Sequence, residues 1–224
     1  MNQDSIVVRS NSFSSALSTN SILQKTYALL AATLLFSGAT AGYAMITNAL
    51  PLNPFIVLAG YFGLLILTNV LRNSGWGLLS VFALTGFMGY TLGPIVNLYL
   101  TQLANGHQIV FMALGGTGAI FVVLSAYALI SKKDFSFMSG FIMTGLVVAF
   151  LAGIASIFMH MPALSLAVSS AFILLSSGVI LLQTGAIING GETNYISATI
   201  TLYVSLYNIF LSLLQLLSAF SNRD

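Results

Sequence analysis

Side chains able to do acid–base, nucleophilic or metal chemistry are scarce in this sequence. Of 224 residues, six are Lys or Arg, four are Asp or Glu, two are His and none is Cys. His107 and His160 stand alone, without companions at metal-ligand spacing, so no metal site is expected. Leu175-Ser176-Ser177-Gly178 resembles a serine motif. Nucleophilic catalysis also needs a nearby base, however, and neither histidine lies within an apolar segment. We therefore predict a protein that is not an enzyme and has no cofactor.

Hydroxyl and amide side chains are instead concentrated in the last apolar segment, Ile196 to Phe220. At 100° per residue, one stripe of this helix carries six of them: Ser197, Thr201, Ser205, Asn208, Ser212 and Gln215. A second stripe, on a different side, carries Thr199, Tyr203 and Tyr207.

Polar groups on two faces of one helix need partners on two faces. Hydrocarbon supplies none, and each unmatched group there costs several kcal/mol. We therefore predict that this helix is surrounded by the other helices of the protein. The first stripe either packs against those helices or lines a water path, and Asn208 is the member most in need of a partner.

The composition identifies an integral membrane protein. Only 4% of the residues are charged, 58% are hydrophobic, and the mean hydropathy is +0.99. No soluble domain of this size exposes such a surface. The net charge of +2 and the isoelectric point of about 9.0 reflect a handful of residues, so nucleic acid is not an expected partner.

Apolar segments of about 18 to 27 residues follow one another, each long enough to cross the hydrocarbon core. They predict seven transmembrane helices: Lys25 to Thr47, Pro54 to Leu71, Gly75 to Leu100, Gln108 to Ile130, Phe135 to Met159, Ala163 to Asn189, and Ile196 to Phe220. The chain then divides into a polar tail (1–24), a seven-helix domain (25–220) and a short C-terminus (221–224).

The distribution of Lys and Arg predicts the orientation. One side of the membrane holds five of them: Arg9, Lys25, Arg72, Lys132 and Lys133. The other side holds only Arg223, so the positive-inside rule places the N-terminus in the cytoplasm and the C-terminus outside. His107 and His160 are then expected in outward-facing loops. Asp134 and Glu192 are expected on the cytoplasmic side, as solvated charges or helix caps.

Small residues mark the faces on which membrane helices pack closely. Almost every segment has them: Gly38 and Gly42 in the first, Gly60 and Gly63 in the second, Gly86, Gly89 and Gly93 in the third, Gly115, Gly116 and Gly118 in the fourth, and Ser176, Ser177 and Gly178 in the sixth. Pro94 lies inside the third segment, where it removes one backbone hydrogen bond and is expected to kink the helix.

Four stretches carry a pattern that resembles the Bax inhibitor-1 (transmembrane Bax inhibitor motif) family. They are Gly77-Leu-Leu-Ser80, Gly89-Tyr-Thr-Leu-Gly93-Pro94-Ile95, Ala113-Leu-Gly-Gly-Thr117-Gly-Ala-Ile-Phe121 and Ser131-Lys-Lys-Asp134-Phe-Ser-Phe137. The resemblance implies an all-α membrane fold in which six helices, in two layers of three, wrap a central seventh helix.

The same resemblance implies two activities: a calcium or proton leak, and regulation of the membrane-bound ATP-dependent protease FtsH in the bacterial inner membrane. In leak-competent relatives a pair of acidic residues on the sixth and seventh helices binds or releases the cation. Here those positions read Gln183 and Ser205. These neutral side chains are able to hydrogen-bond to one another but not to titrate, which favours the protease regulator as the function and leaves the leak as the alternative.

The N-terminal tail suggests how such a regulator engages its protease. A Ser/Asn-rich segment with few apolar groups does not fold alone, and it extends about 70 to 80 Å at 3.3 Å per residue. One hypothesis is that the protease grips this tail but extracts the compact body slowly, which delays degradation of other substrates. The other is a disordered terminus without a role.

Overall fold

A computed structural model of the chain describes residues 3–159 and 161–221, with side chains from residue 21 onward except at position 157. His160 and Arg223, used above to assign loops and orientation, lie outside the described residues, as does the side chain of Arg9. The predicted C-terminus (221–224) also lies outside this range, except for Ser221, which is the last residue of the final helix.

The described part of the chain contains seven helices long and apolar enough to cross a membrane. They are α1 (Gln3–Ile46), α2 (Pro54–Leu71), α3 (Trp76–Gln102), α4 (Gly106–Ser131), α5 (Ser139–Met159), α6 (Pro162–Ile188) and α7 (Tyr195–Ser221), with a short 3₁₀ turn at Ser136–Met138 before α5. The all-α fold with seven spans is thus confirmed. From the second span onward, the boundaries agree with the predicted ones to within about one turn.

The first helix differs from its prediction. It begins at Gln3 instead of Lys25, so the segment expected to extend freely is helical and continuous with the first span. As a helix, residues 3–24 reach roughly 33 Å at 1.5 Å per residue, less than half the extended length. The physical reason is the absence of any Gly or Pro before Gly38, since a helix nucleated in the apolar span propagates until a residue breaks it.

Local sequence explains where the other helices start and stop. Asn53 caps α2 by accepting a hydrogen bond from the Phe55 backbone N–H at 2.9 Å, with Pro54 as the first helical residue. Pro162 likewise begins α6. At the end of α4, Lys132 adopts the left-handed conformation (φ 51°), and its N–H bonds to the Ala128 carbonyl, which ends the helix.

The last helix is enclosed, as predicted. No residue from Tyr195 to Ala219 is exposed, whereas α5 exposes Phe141, Val147 and Leu151 on its outer face. Helix α7 packs directly against α1, α3, α4 and α6. Helix α2 packs on α3 and α5 packs on α6, and cavities separate both of these outer helices from α7. Four of the six surrounding helices therefore contact the central one closely.

The glycines of α3 set the tightest helix–helix contact. A Cβ added at Gly89 would overlap the Ser37 carbonyl oxygen of α1, and one at Gly93 would lie 2.6 Å from the Ala41 oxygen. Only a residue without a side chain permits this approach. The buried Pro94 sits beside them, and α3 remains one helix from end to end.

The paired glycines of α1 do not pack as expected. A Cβ added at Gly38 or Gly42 meets nothing within 4 Å, because α1 contacts α3 through the neighbouring positions Ser37 and Ala41. Gly38 and Gly42 instead line a cavity of about 470 Å³ between α1, α4 and α7. Three other glycines of the predicted packing faces also have no atom within 4 Å of an added Cβ: Gly63, Gly115 and Gly118.

Candidate functional site

The polar stripe of α7 lines cavities on the side of the helix that faces α2, α5 and α6. We call the first the Arg72 cavity. It has a volume of about 620 Å³ and includes Ser197, Thr201, Ser205 and Asn208 among its lining residues. The second, the Gln215 cavity, has a volume of about 560 Å³ and is lined by Asn208, Ser212 and Gln215. All six residues of the stripe therefore border open space next to the central helix.

Asn208 lies where the cavities meet. It lines the Arg72 cavity, the Gln215 cavity and a third, largely apolar cavity of about 550 Å³ walled by α2 and α5. Its side chain is half-buried and forms no hydrogen bond to another residue in the described part of the chain. The amide most in need of a partner therefore faces a cavity, where a bound molecule is able to supply one.

Gln183 and Ser205, at the family leak position, are not hydrogen-bonded to each other in the described structure. The Ser205 hydroxyl donates to the Thr201 carbonyl of its own helix at 2.8 Å, and the Gln183 amide nitrogen is buried without a partner. The expected hydrogen bond between Gln183 and Ser205 is absent from the described structure, because a serine within a helix satisfies itself with the carbonyl four residues earlier. Gln183 also lines none of the three cavities just described.

The second stripe supplies the contacts that hold α7 to α1 and α3. The Tyr203 hydroxyl lies 2.6 Å from the Ser37 hydroxyl of α1 and donates to the Thr85 carbonyl of α3 at 3.2 Å. Thr199 donates to the Thr26 carbonyl of α1, also at 3.2 Å. The sequence placed Tyr203 on a polar face but gave no indication of these partners.

The other end of α7 is bonded to α6. Ser169 donates to the Gln215 side-chain oxygen at 2.6 Å, and the Gln215 nitrogen is hydrogen-bonded to Ser165. Because both polar atoms of one amide are used on a single neighbouring helix, Gln215 fixes the rotation of α7 against α6.

Two acidic side chains at the α2–α3 end of the bundle, Asp134 and Glu192, bond within their own loops. Asp134 accepts a backbone hydrogen bond from Ser136 at 2.8 Å, and Glu192 accepts one from Asn194 at the same distance. The Ser136 hydrogen bond lowers the pKa of the exposed Asp134 carboxyl, so this contact stabilises the fold above the ordinary carboxyl pKa and is lost as the pH falls through the lowered one.

Asn194 ties two loops together at this end. Its side-chain oxygen accepts from the N–H groups of Ile196 and Ser197, both at 3.0 Å, which caps α7. Its side-chain nitrogen donates to the Arg72 carbonyl at 3.1 Å and to the Asn73 side chain at 2.7 Å. One residue thus starts the central helix and fixes the α2–α3 loop.

Replacing Asn194 with alanine is expected to lower the free energy of unfolding by about 1 to 2 kcal/mol, because both the cap and the loop tie are lost. Asn194→Asp is the matched control, since it keeps the capping oxygen and removes only the donor. Unfolding by sodium dodecyl sulfate in mixed micelles measures both changes. Equal stability of Asn194→Ala and the wild type would contradict this role.

Buried polar atoms without partners are uncharged. Six occur among the described residues, on Thr26, Tyr27, Ser125, Ser131, Gln183 and Thr184. None is a carboxylate or an imidazole. The described residues also contain no cluster of three His, Cys, Asp or Glu side chains able to hold a metal ion. The polar stripe therefore offers hydrogen bonding by neutral groups, and Arg72 is the charged residue among the described lining of the cavities.

Comparison with known proteins identifies relatives along nearly the whole chain. The profile of the family described as "Inhibitor of apoptosis-promoting Bax1" matches residues 19–222. The "Modulator of FtsH protease YccA" of Escherichia coli is 49% identical over 221 residues, which cover 99% of this chain and 100% of that protein. An uncharacterized protein of Pseudomonas aeruginosa is 53% identical over 204 residues, 91% of each chain. An uncharacterized membrane protein of Vibrio cholerae is 42% identical over 220 residues, 96% of this chain and 97% of the other.

Proposed function

Because the chain belongs to the Bax inhibitor-1 family, we propose that it is a multi-pass inner-membrane protein that binds the FtsH protease and modulates degradation of membrane proteins. The observation that carries this proposal is the 49% identity, end to end, with the protein named as a modulator of that protease. The proposed orientation has the N-terminus in the cytoplasm and the C-terminus in the periplasm, following the positive-inside rule.

The proposed mechanism begins at the N-terminus. A protease that pulls on residues 1–24 loads α1 first, because residues 3–24 form the first part of that helix. Helix α1 is in backbone contact with α3 at Gly89 and Gly93 and is hydrogen-bonded to Tyr203 of α7. Extraction of α1 must break these contacts together, within a medium that supplies no replacement partners. The protease is thus engaged by a substrate that it removes slowly, and it degrades others less.

Deletion of residues 2–20 is expected to lengthen the half-life of the protein in cells that contain the protease, because the segment that is gripped has been removed. The same deletion is expected to leave the half-life unchanged in cells that lack the protease. A pulse–chase measurement in both backgrounds tests this. Removal of residues 222–224, at the opposite terminus and on the other side of the membrane, is the control and is expected to have no effect.

Two outcomes would contradict the proposal that the protease pulls on the N-terminal segment. One is an unchanged half-life of the deletion variant in the presence of the protease. The other is an equal effect of the C-terminal deletion. The proposal as a whole is tested by co-purification with the protease and by the degradation rate of a second membrane substrate, which the full-length chain is expected to slow.

A cation or proton leak is the second candidate, and one observation favours it. The polar stripe borders cavities that approach both ends of α7 and meet at Asn208, so it outlines a route across the bundle. The route has no carboxylate among the described lining residues, which does not favour a pH-gated calcium site. Flux in proteoliposomes that falls in Ser205→Ala but not in Gln183→Ala would support the leak, since only Ser205 lines the cavities. Absence of flux would exclude it.

A further inference from the structure

The Arg72 cavity carries free hydrogen-bond donors at its mouth. Asn69, Arg72 and Ser197 all line it near the α2–α3 loop. None of their side chains has a hydrogen-bond or ion-pair partner among the described residues. The Arg72 backbone is held in place, because its carbonyl accepts a hydrogen bond from the Asn194 side chain. A guanidinium, an amide and a hydroxyl at one mouth match the phosphate and ester oxygens of a phospholipid headgroup.

The interior that continues from this mouth is apolar. The Arg72 cavity and the apolar cavity are adjacent, since they share Tyr61, Phe62, Met143 and Leu146 as lining residues. The apolar cavity reaches the outer surface between α2 and α5. Phe62, which is 42% exposed, and Leu151, which is 59% exposed, belong both to the lining and to the lipid-facing surface. An acyl chain is therefore able to enter from the bilayer.

The gap between α2 and α5 is too narrow for a helix. The rings of Phe62 on α2 and Phe150 on α5 meet edge to face with centroids 5.7 Å apart. A helix with its side chains is about 10 to 12 Å wide, so a partner helix would have to separate the two. An extended hydrocarbon chain is much thinner and passes beside the ring pair.

We infer that an anionic phospholipid binds in this space, with its phosphate at Arg72 and Asn69, its ester groups near Ser197, and an acyl chain between α2 and α5. The headgroup is anionic because the mouth is lined by the Arg72 cation, which has no partner among the described residues. The lipid comes from the same leaflet as the α2–α3 loop. This inference does not rest on the proposed function, since it uses only the cavity and its lining.

Binding is tested with the full chain, delipidated in detergent and titrated with phosphatidylglycerol or phosphatidylcholine, by native mass spectrometry. Phosphatidylglycerol is expected to bind more tightly than phosphatidylcholine. Arg72→Ala is expected to weaken phosphatidylglycerol binding roughly five-fold. Lys132→Ala, which removes a cation at the same end but outside the cavity, is expected to leave it unchanged. Equal binding of the two lipids, or equal effects of the two variants, would overturn the inference.

The proposed position of the acyl chain between α2 and α5 is tested separately. Leu146→Phe narrows the shared part of the two cavities and is expected to weaken phosphatidylglycerol binding while Arg72 is intact. Leu35→Phe, at a position on α1 that is 77% exposed, is the matched control and is expected to have no effect. Unchanged phosphatidylglycerol binding in Leu146→Phe would contradict the position proposed for the acyl chain. Competition by soluble glycerol phosphate would show a site for free phosphate and would overturn the assignment to a lipid. Unfolding temperatures in lipid-free detergent confirm that each variant is folded.

Discussion

Tyr203→Ala is expected to destabilise the bundle by about 3 to 5 kcal/mol, the range for truncating a large buried aromatic residue. Tyr203 is 1% exposed and lies in the main core cluster beside Leu84 and Leu206. Its loss leaves a cavity between α7, α1 and α3. It also leaves the Ser37 hydroxyl without the tyrosine oxygen as a partner.

Two further variants separate packing from hydrogen bonding at this site. Tyr203→Phe keeps the ring and is expected to cost about 1 to 2 kcal/mol through the lost hydroxyl alone. Tyr43→Ala is the control for size, because Tyr43 is 64% exposed on the lipid-facing surface and is expected to cost little. Unfolding by sodium dodecyl sulfate in mixed micelles gives all three values. Similar losses at Tyr203 and Tyr43 would show that α7 is not enclosed at this depth.

Gly89→Ala is the variant with the second large expected loss in the free energy of unfolding. The added methyl group overlaps the backbone of α1 at the Ser37 carbonyl, and a backbone moves aside less easily than a flexible side chain. We expect a loss of about 2 to 3 kcal/mol from overpacking. Gly38→Ala, with nothing within 4 Å of its added methyl, is expected to be neutral or to stabilise by up to about 1 kcal/mol through helix propensity.

The same pair of variants connects packing to the proposed function. If α1 resists extraction through its contact with α3, Gly89→Ala is expected to shorten the half-life of the protein in cells that contain the protease. Slowed degradation of a second membrane substrate should then be lost. Gly38→Ala should behave as the wild type in both assays. A Gly89→Ala variant that is destabilised in detergent yet degraded no faster would contradict the extraction mechanism while leaving the packing account intact.

Hydropathy and turn residues were sufficient to predict the spans, because the length of an apolar helix is set by the bilayer. The enclosure of α7 was predictable for a related reason, since one polar stripe runs through Ser205 and the other through Tyr203, on different sides of the helix, and neither is able to face lipid. Gly89 and Gly93 were recognised as packing residues from their type and spacing. Each of these inferences uses only the order of residues along one helix.

Contacts between helices were less predictable. Gly38 and Ser37 are adjacent, and only the rotation of α1 decides which of them meets α3. The partners of Gln215, and the missing bond between Gln183 and Ser205, likewise depend on the relative rotation and depth of α6 and α7. A polar composition predicts an extended N-terminal segment, but no Gly or Pro interrupts residues 3–24, and the segment is helical.

The enclosure of α7 is tested most directly by site-directed spin labelling. Because the sequence contains no cysteine, each single-cysteine variant is labelled only at the introduced position. Labels placed one at a time along residues 196–219 report collision with oxygen, which is concentrated in the lipid. The structure predicts lower accessibility on every face of α7 than on the outer face of α5, where a strong 3.6-residue period is expected along residues 139–156. A lipid-facing maximum on α7 as high as that on α5, centred on Ser205 and Asn208, would contradict the central position of this helix.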